Sequence, residues 1–157
     1  MGKNFEGRFD AHGKQIAIVA SRFNDFFTRE LMDGARDCLQ RHDVAEQQID
    51  TVWVPGSFEV PMAAKRMVQS GRYAAVICLS CIIQGDTPHF HYISSEITKG
   101  IAQVALESNI PVVYGVVTAE TLDQAIERSG TKAGNKGFDA ALTALEMIDL
   151  FAGIDAG

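Results

Sequence analysis

The run "AAVICLSCII", residues 74–83, narrows the fold more than any other stretch of the chain. A strand with one face in water alternates apolar and polar residues. An almost unbroken apolar run belongs to a strand covered on both faces, as in the middle of a parallel sheet. Three shorter runs accompany it: "QIAIVA" (15–20), "IDTVWVPG" (49–56) and "IPVVYGVVT" (110–118). Between them lie segments of helical periodicity. In "DFFTRELMDGARDCLQRH", Phe27, Leu31, Ala35 and Leu39 recur on one face. "SFEVPMAAKRMVQSG" predicts a second helix, with Pro61 tolerated in its first turn and Gly71 ending it. A third runs from about Pro88 to Ser108, with Ile93, Ile97, Ile101 and Val104 on one side, and "LDQAIERSG" is a short fourth. "NKGFDAALTALEMIDLFAG" is the last, with Phe138, Ala141, Leu142, Leu145 and Ile148 as its stripe. Strand–helix alternation implies right-handed crossovers, hence an α/β fold: a three-layer α/β/α sandwich around a four-stranded parallel sheet.

The length of 157 residues suits one domain, expected over 15–157, with residues 1–14 as an N-terminal arm. A net charge of −6 argues against a general nucleic-acid binder, which needs clustered Lys and Arg. No apolar stretch approaches the ~20 residues that span a bilayer, so no membrane association is expected. The start "MGKNFEGRFDAHGKQ" lacks a signal-peptide core, and Glu6 stands where a myristoylation motif takes Ser or Thr. A cytoplasmic protein is the expectation. Three cysteines, Cys38, Cys78 and Cys81, form no disulfide framework. Cys78 and Cys81 are spaced as C-x-x-C, but inside a strand that spacing faces opposite sides of the sheet, which favours two core thiols over a redox pair.

In a parallel sheet, ligands bind outside the carboxyl ends of the strands. Four segments gather there: "SRFN" (21–24), "PGSFE" (55–59), "QGDTPH" (84–89) and "TAET" (118–121). In the third, Pro88 suits a first helical position and makes Thr87 the expected N-cap. The N–H groups of that turn would point at Gly85, Asp86 and Thr87, a ready anion site. His89 would lie one residue inside the helix, able to move protons near neutral pH. The plainer alternative is a capped helix with a solvated histidine. His89 and His91 diverge on a helix and no H-E-x-x-H pattern occurs, so no metal site is expected. "GTKAGNKG" (130–137) fails the P-loop spacing and follows no strand, and no G-x-G-x-x-G follows the first strand. Arg128 could grip a phosphate or stand at the surface. Phe23 could stack on a flat ring or cap the core. Glu59, in the first turn of the second helix, could complement the helix dipole or accept ligand hydroxyls.

Six segments, "SRFN", "VPGSFEVP", "IIQGDTPHFHYI", "PVVYGVVT", "QAIERSGTKAGNKG" and "AALTALEM", in this order and spacing, resemble the lumazine synthase family over nearly the whole length. The resemblance implies a flavodoxin-like fold and an enzyme without cofactor or metal. It would condense 5-amino-6-(D-ribitylamino)uracil with 3,4-dihydroxy-2-butanone 4-phosphate to 6,7-dimethyl-8-ribityllumazine, phosphate and water, the penultimate step of riboflavin biosynthesis. Carried onto this sequence, Phe23 would stack on the pyrimidinedione. Ser57, Phe58 and Glu59 would hold it, with Glu59 on the ribityl hydroxyls, and Cys81, Ile82 and Ile83 would supply edge contacts. Asp86, Thr87 and Arg128 would take the phosphate, and His89 would carry protons. Asn24, Gly85 and Lys136 stand in the same motifs as assisting positions. Tyr114 would come from a neighbouring subunit.

The resemblance also implies a homopentamer, with a 60-subunit icosahedral capsid and association with riboflavin synthase as known elaborations, and an arm around Asn4 to Phe9 that adds a strand to a neighbour's sheet. Three positions depart from the family pattern: Gln84 replaces a usual Arg or Lys, Tyr114 a frequent Phe, and His91 an acid. Two other readings share most of these residues. A flavodoxin-like module that only binds flavin or lumazine would keep Phe23 without needing His89 or Arg128, and a shell protein would carry the site as a vestige.

Overall fold

A computed structural model describes residues 2–85, 89–130 and 134–157. Strands β1 (Ile16–Ser21), β2 (Ile49–Val54), β3 (Ala75–Ile83) and β4 (Val112–Ala119) form one parallel sheet in the order β2-β1-β3-β4. Between and after them run α1 (Asp25–Arg41), α2 (Val60–Gln69), α3 (Phe90–Glu107), α4 (Leu122–Arg128) and α5 (Lys136–Ala156). The expected three-layer α/β/α architecture is therefore what the chain forms. β3 is central and buried on both faces, as its unbroken apolar run requires.

The sheet's two faces feed two cores. Ile77, Leu79 and Cys81 of β3 point with Ile16 and Ile18 toward α1, α4 and α5, where Leu31, Leu39, Ala125 and Leu145 meet them. Val76, Cys78 and Ile82 point the other way with Ala17 and Val19, toward Val60 and Ala64 of α2 and Ile97 and Ile101 of α3. C-x-x-C thus divides between two cores, one thiol in each. Ile93, placed on the α3 stripe by its spacing, is instead 39% exposed, in the first turn of that helix. α1 and α5 approach so closely that a Cβ on Gly137 would lie 1.9 Å from the Leu31 carbonyl oxygen. Only glycine fits there.

Element ends differ from the sequence expectation where proline intervenes. The second helix is not continuous: Ser57–Glu59 form a 3-10 turn, and the α-helix starts at Val60 with Pro61 in its first two positions. Pro61 lacks an N–H, so it sits where no intrahelical donor is needed, and the residues before it tighten. Glu59 accordingly stands at the N-cap of α2 and not within its first turn. β4 begins at Val112, not 110, because Pro111 cannot donate to the ladder; its carbonyl accepts from Val76 N–H at 3.0 Å. The third helix begins at Phe90, with His89 as its N-cap rather than inside it. The expected Thr87 cap and Pro88 start lie outside the described residues.

Residues 2–15 form no helix or strand. They lie against the chain's own helices: Ala11 is buried in the α1/α5 core, Arg8 N–H donates to the Asp149 carboxylate, and the Phe9 ring tilts against His42 at 6.3 Å. Among the described residues, no helix is long and apolar enough to cross a membrane.

Candidate functional site

Because all four strands are parallel, β1, β2, β3 and β4 end on one rim. Backbone pairing continues past the strands and holds the departing loops in register. Arg22 N–H donates to Val54 O at 2.7 Å, and Gln84 N–H to Ala119 O at 2.8 Å.

On the side of β1, β2 and β3, Asn24 fixes the geometry. Its backbone is left-handed, φ 60° and ψ 41°, a conformation that asparagine tolerates better than most residues. Its Nδ2 donates to the Cys81 carbonyl at 2.9 Å, tying the loop after β1 to the end of β3. The turn leaves Phe23 67% exposed, so this ring does not cap the core. Phe58, on the 3-10 turn after β2, is 68% exposed at the same rim. The Glu59 carboxylate folds back over Gly56, where a Cβ would stand 3.3 Å from Oε1. Ser57 is buried and its hydroxyl bonds that of Ser80, which lies 3.0 Å from the hydroxyl of Ser21.

Cys81 and Ile82 are buried and Ile83 half-buried, so Cys81 meets this rim through its backbone. One lone pair of its carbonyl is already engaged by Asn24. Burial pushes the Cys81 thiol up to about 12, leaving it neutral and non-nucleophilic near pH 7.

On the β4 side, Arg128 closes α4 and donates from Nη1 to the Thr118 carbonyl at 2.6 Å. Arg128 and Phe90, the residue after His89, line one cleft of about 270 Å³ with Thr118, Ala119, Glu120 and Gln124. His89 is exposed, and its carbonyl accepts the first bond of α3 from Ile93 N–H at 3.0 Å. Lys136, the first residue of α5, shares an adjoining depression with Arg128. Between these two cations Asn135 acts as a clamp. Its Oδ1 accepts from the N–H groups of Gly137 and Phe138, and its Nδ2 donates to Glu30 O at 2.9 Å and Ser129 O at 3.2 Å.

The rim therefore gathers Phe23, Asn24, Ser57, Phe58, Glu59, Cys81, Ile82, Ile83, Gly85, His89 and Arg128, with Lys136 beside it. Asp86 and Thr87 lie outside the described residues. Tyr114 is not among the residues brought together. It pairs with Cys78, three positions back along the strands from Cys81, and its hydroxyl lies 3.1 Å from Thr98 Oγ1 on α3.

A family model for 6,7-dimethyl-8-ribityllumazine synthase matches residues 13–152. The chain belongs to this family. The match runs from the turn before β1 into α5 and takes in every rim segment. Lumazine synthases are transferases of riboflavin biosynthesis, and the chain is an enzyme of that class.

Sequence reasoning passed over Ser21, Ser80 and Asn135. Ser80 carried a signal, being the one polar residue in "AAVICLSCII". A hydroxyl there has to find a buried partner. Asn135 is an N-cap between two helices, a pattern with a sequence signature, but its bonds to Glu30 and Ser129 depend on tertiary packing.

Proposed function

We propose that the chain condenses 5-amino-6-(D-ribitylamino)uracil with 3,4-dihydroxy-2-butanone 4-phosphate to give 6,7-dimethyl-8-ribityllumazine, phosphate and water. The family match supports this reaction class, and the placement of the rim residues supports the roles. The observation that carries the reading is the family match over residues 13–152, which takes in every rim segment; the cleft lined by Phe90, the residue after His89, together with Thr118, Glu120 and Arg128 supports the side on which the phosphate is placed.

Phe23 stacks on the pyrimidinedione, Phe58 packs beside it and Glu59 accepts from the ribityl hydroxyls. The Ser57 hydroxyl and the backbone of Cys81, Ile82 and Ile83 meet the ring edge. Arg128 holds the phosphate with Asp86 and Thr87, and Gly85 leaves room for its approach. The substrate amine attacks the ketone; His89 takes and returns protons as a first water leaves and the imine forms, then as phosphate is eliminated, and then as the ribitylamino nitrogen attacks the remaining carbonyl and the second ring closes with loss of a second water. Holding both substrates in attack geometry supplies much of the remaining rate. Asn24 assists by holding Phe23 outward, and Lys136 by adding positive charge beside Arg128.

Tyr114 would serve a neighbour's site in a homopentamer. The outer edge of β4 supports that reading: a groove of about 580 Å³ runs between α3, β4 and α5, with Tyr114 half-exposed and Leu106 89% exposed. Residues 15–157 would form the catalytic domain, and the arm would pair with a neighbour's sheet. Mixing the two substrates and following lumazine fluorescence tests the reaction. Product formation at an enzymatic rate is expected, and a chain that binds lumazine without making it would be a binding module instead. Light scattering then reads pentamer or 60-subunit shell.

A further inference from the structure

Beneath the rim three serine hydroxyls form one continuous chain. Ser21 ends β1, Ser80 lies in β3 and Ser57 opens the 3-10 turn after β2. Ser21 and Ser80 are fully buried, and Ser57 is 8% exposed, so Ser57 is the member at the rim. Ser57 and Ser80 are hydrogen-bonded, Ser80 and Ser21 lie 3.0 Å apart, and Ser21 Oγ reaches the Phe23 carbonyl at 3.4 Å.

A serine hydroxyl has one proton to donate and two lone pairs. Among the described residues, the Phe23 carbonyl is the one acceptor-only group bonded to these three hydroxyls, and it sets the direction. Ser21 donates to Phe23 and so accepts from Ser80. Ser80, its proton committed to Ser21, accepts from Ser57. The Ser57 proton therefore points inward, and the rim meets its lone pairs. A hydroxyl free to turn would offer a donor or an acceptor; one wired in this way offers only an acceptor.

We infer that Ser21 and Ser80 are positioning residues that fix the polarity of the Ser57 hydroxyl, so that Ser57 accepts a hydrogen bond from an N–H of the heterocyclic substrate and turns away a ring edge presenting a carbonyl. The inference rests on the proposed function and names which edge of the pyrimidinedione meets the turn after β2. Neither Ser21 nor Ser80 touches the substrate.

The test is calorimetric binding of 5-amino-6-(D-ribitylamino)uracil alone, with thermal unfolding run in parallel. Ser57→Ala and Ser80→Ala should each weaken Kd roughly three- to tenfold, the range that one neutral hydrogen bond supplies. The double variant should bind no more weakly than Ser57→Ala, because Ser80 acts only through Ser57. In turnover the same loss should appear in KM for the pyrimidinedione. A merely structural serine would lower Tm and add its effect to that of Ser57→Ala. Should Ser80→Ala fail to fold, Ser21→Ala removes the directing bond and should weaken Kd by a smaller factor. Wild-type affinity in a folded Ser80→Ala or Ser21→Ala, or additive losses in the double variant, would overturn the inference and leave the proposed function standing. Wild-type protein that neither binds the pyrimidinedione nor forms lumazine would overturn both.

Discussion

At the ends of β1 and β3, polar side chains are bonded within the protein before any ligand arrives. Asn24 holds the Cys81 carbonyl, Ser57 holds Ser80, and Ser80 holds Ser21. At the end of β4, Arg128 is bonded to Thr118, while the side chains of His89, Arg128 and Lys136 are exposed. The first side is a template whose geometry is stored in buried hydrogen bonds. The second is a group of exposed charged side chains, Arg128 and Lys136 beside Glu120, Glu127 and Asp139, whose interactions are open to screening by salt. A neutral ring needs shape and fixed donors and acceptors; a phosphate needs charge and tolerates approximate placement until it is gripped.

The largest effects should separate the two sides. His89→Ala should lower kcat by roughly a hundredfold, the low end for loss of a general acid–base group, while leaving calorimetric affinity for the pyrimidinedione unchanged. Activity persists because both substrates remain held. A fully active variant would remove His89 from the mechanism. Next in size, Arg128→Ala should raise KM for the phosphorylated ketone roughly tenfold or more, as expected for loss of a charge-assisted bond. Raising the salt concentration of the wild-type assay should do the same in milder form, since exposed charges are screened. Affinity for the pyrimidinedione should respond to neither. If salt weakened both substrates equally, the division of the rim into two kinds of site would fail.

A smaller effect probes the template itself. Asn24→Gly keeps access to φ 60° and loses only the bond to Cys81, about 1 kcal/mol. Asn24→Ala loses the bond and also strains the backbone, costing about 1 kcal/mol more. Both should weaken pyrimidinedione binding by releasing Phe23, and the alanine variant should have the lower Tm. Equal melting temperatures would show that the left-handed turn stores no strain.

The same contrast explains what could be read from the sequence. The α/β alternation, the central place of β3 and the gathering of four loops on one rim follow from periodicity and the parallel rule, which are local or topological. Arg128 and His89 could be named as candidates from their residue types, but the roles given to them came from the family resemblance. The wiring of the template was not legible. Ser21, Ser57 and Ser80 are far apart in the chain and individually unremarkable; only the crossovers bring them within bonding distance. The bond from Asn24 to Cys81 was hidden for the same reason, and the break in the second helix came from a local conflict between Pro61 and the residues before it. Tyr114 shows the opposite limit: the role proposed for it concerns another subunit, and within one chain its hydroxyl bonds only Thr98 among the described residues.

A further expected effect, seen only at alkaline pH, concerns the buried thiols. Burial pushes Cys78 and Cys81 up to about 12, and burial with the nearby carboxylates of Asp37 and Asp139 pushes Cys38 up to about 11. In the unfolded chain a thiol titrates near 8.5. Below that value both states keep their protons and the thiols leave stability independent of pH. Between about 9 and 12 the unfolded chain releases protons that the folded protein retains, so stability should fall as pH rises. Urea midpoints measured from pH 8 to pH 11 should decline, and more gently in Cys78→Ala. Alkylation sharpens the point at pH 8. Iodoacetamide should label the urea-unfolded chain and leave all three cysteines of the folded protein unmodified. Cys81 lies directly beneath the Asn24 bond, so Asn24→Gly should speed its labelling more than that of Cys78, which faces the other core. Rapid labelling of Cys81 in the wild-type protein would mean that the template opens as freely as the charged side, and the difference between the two would be lost.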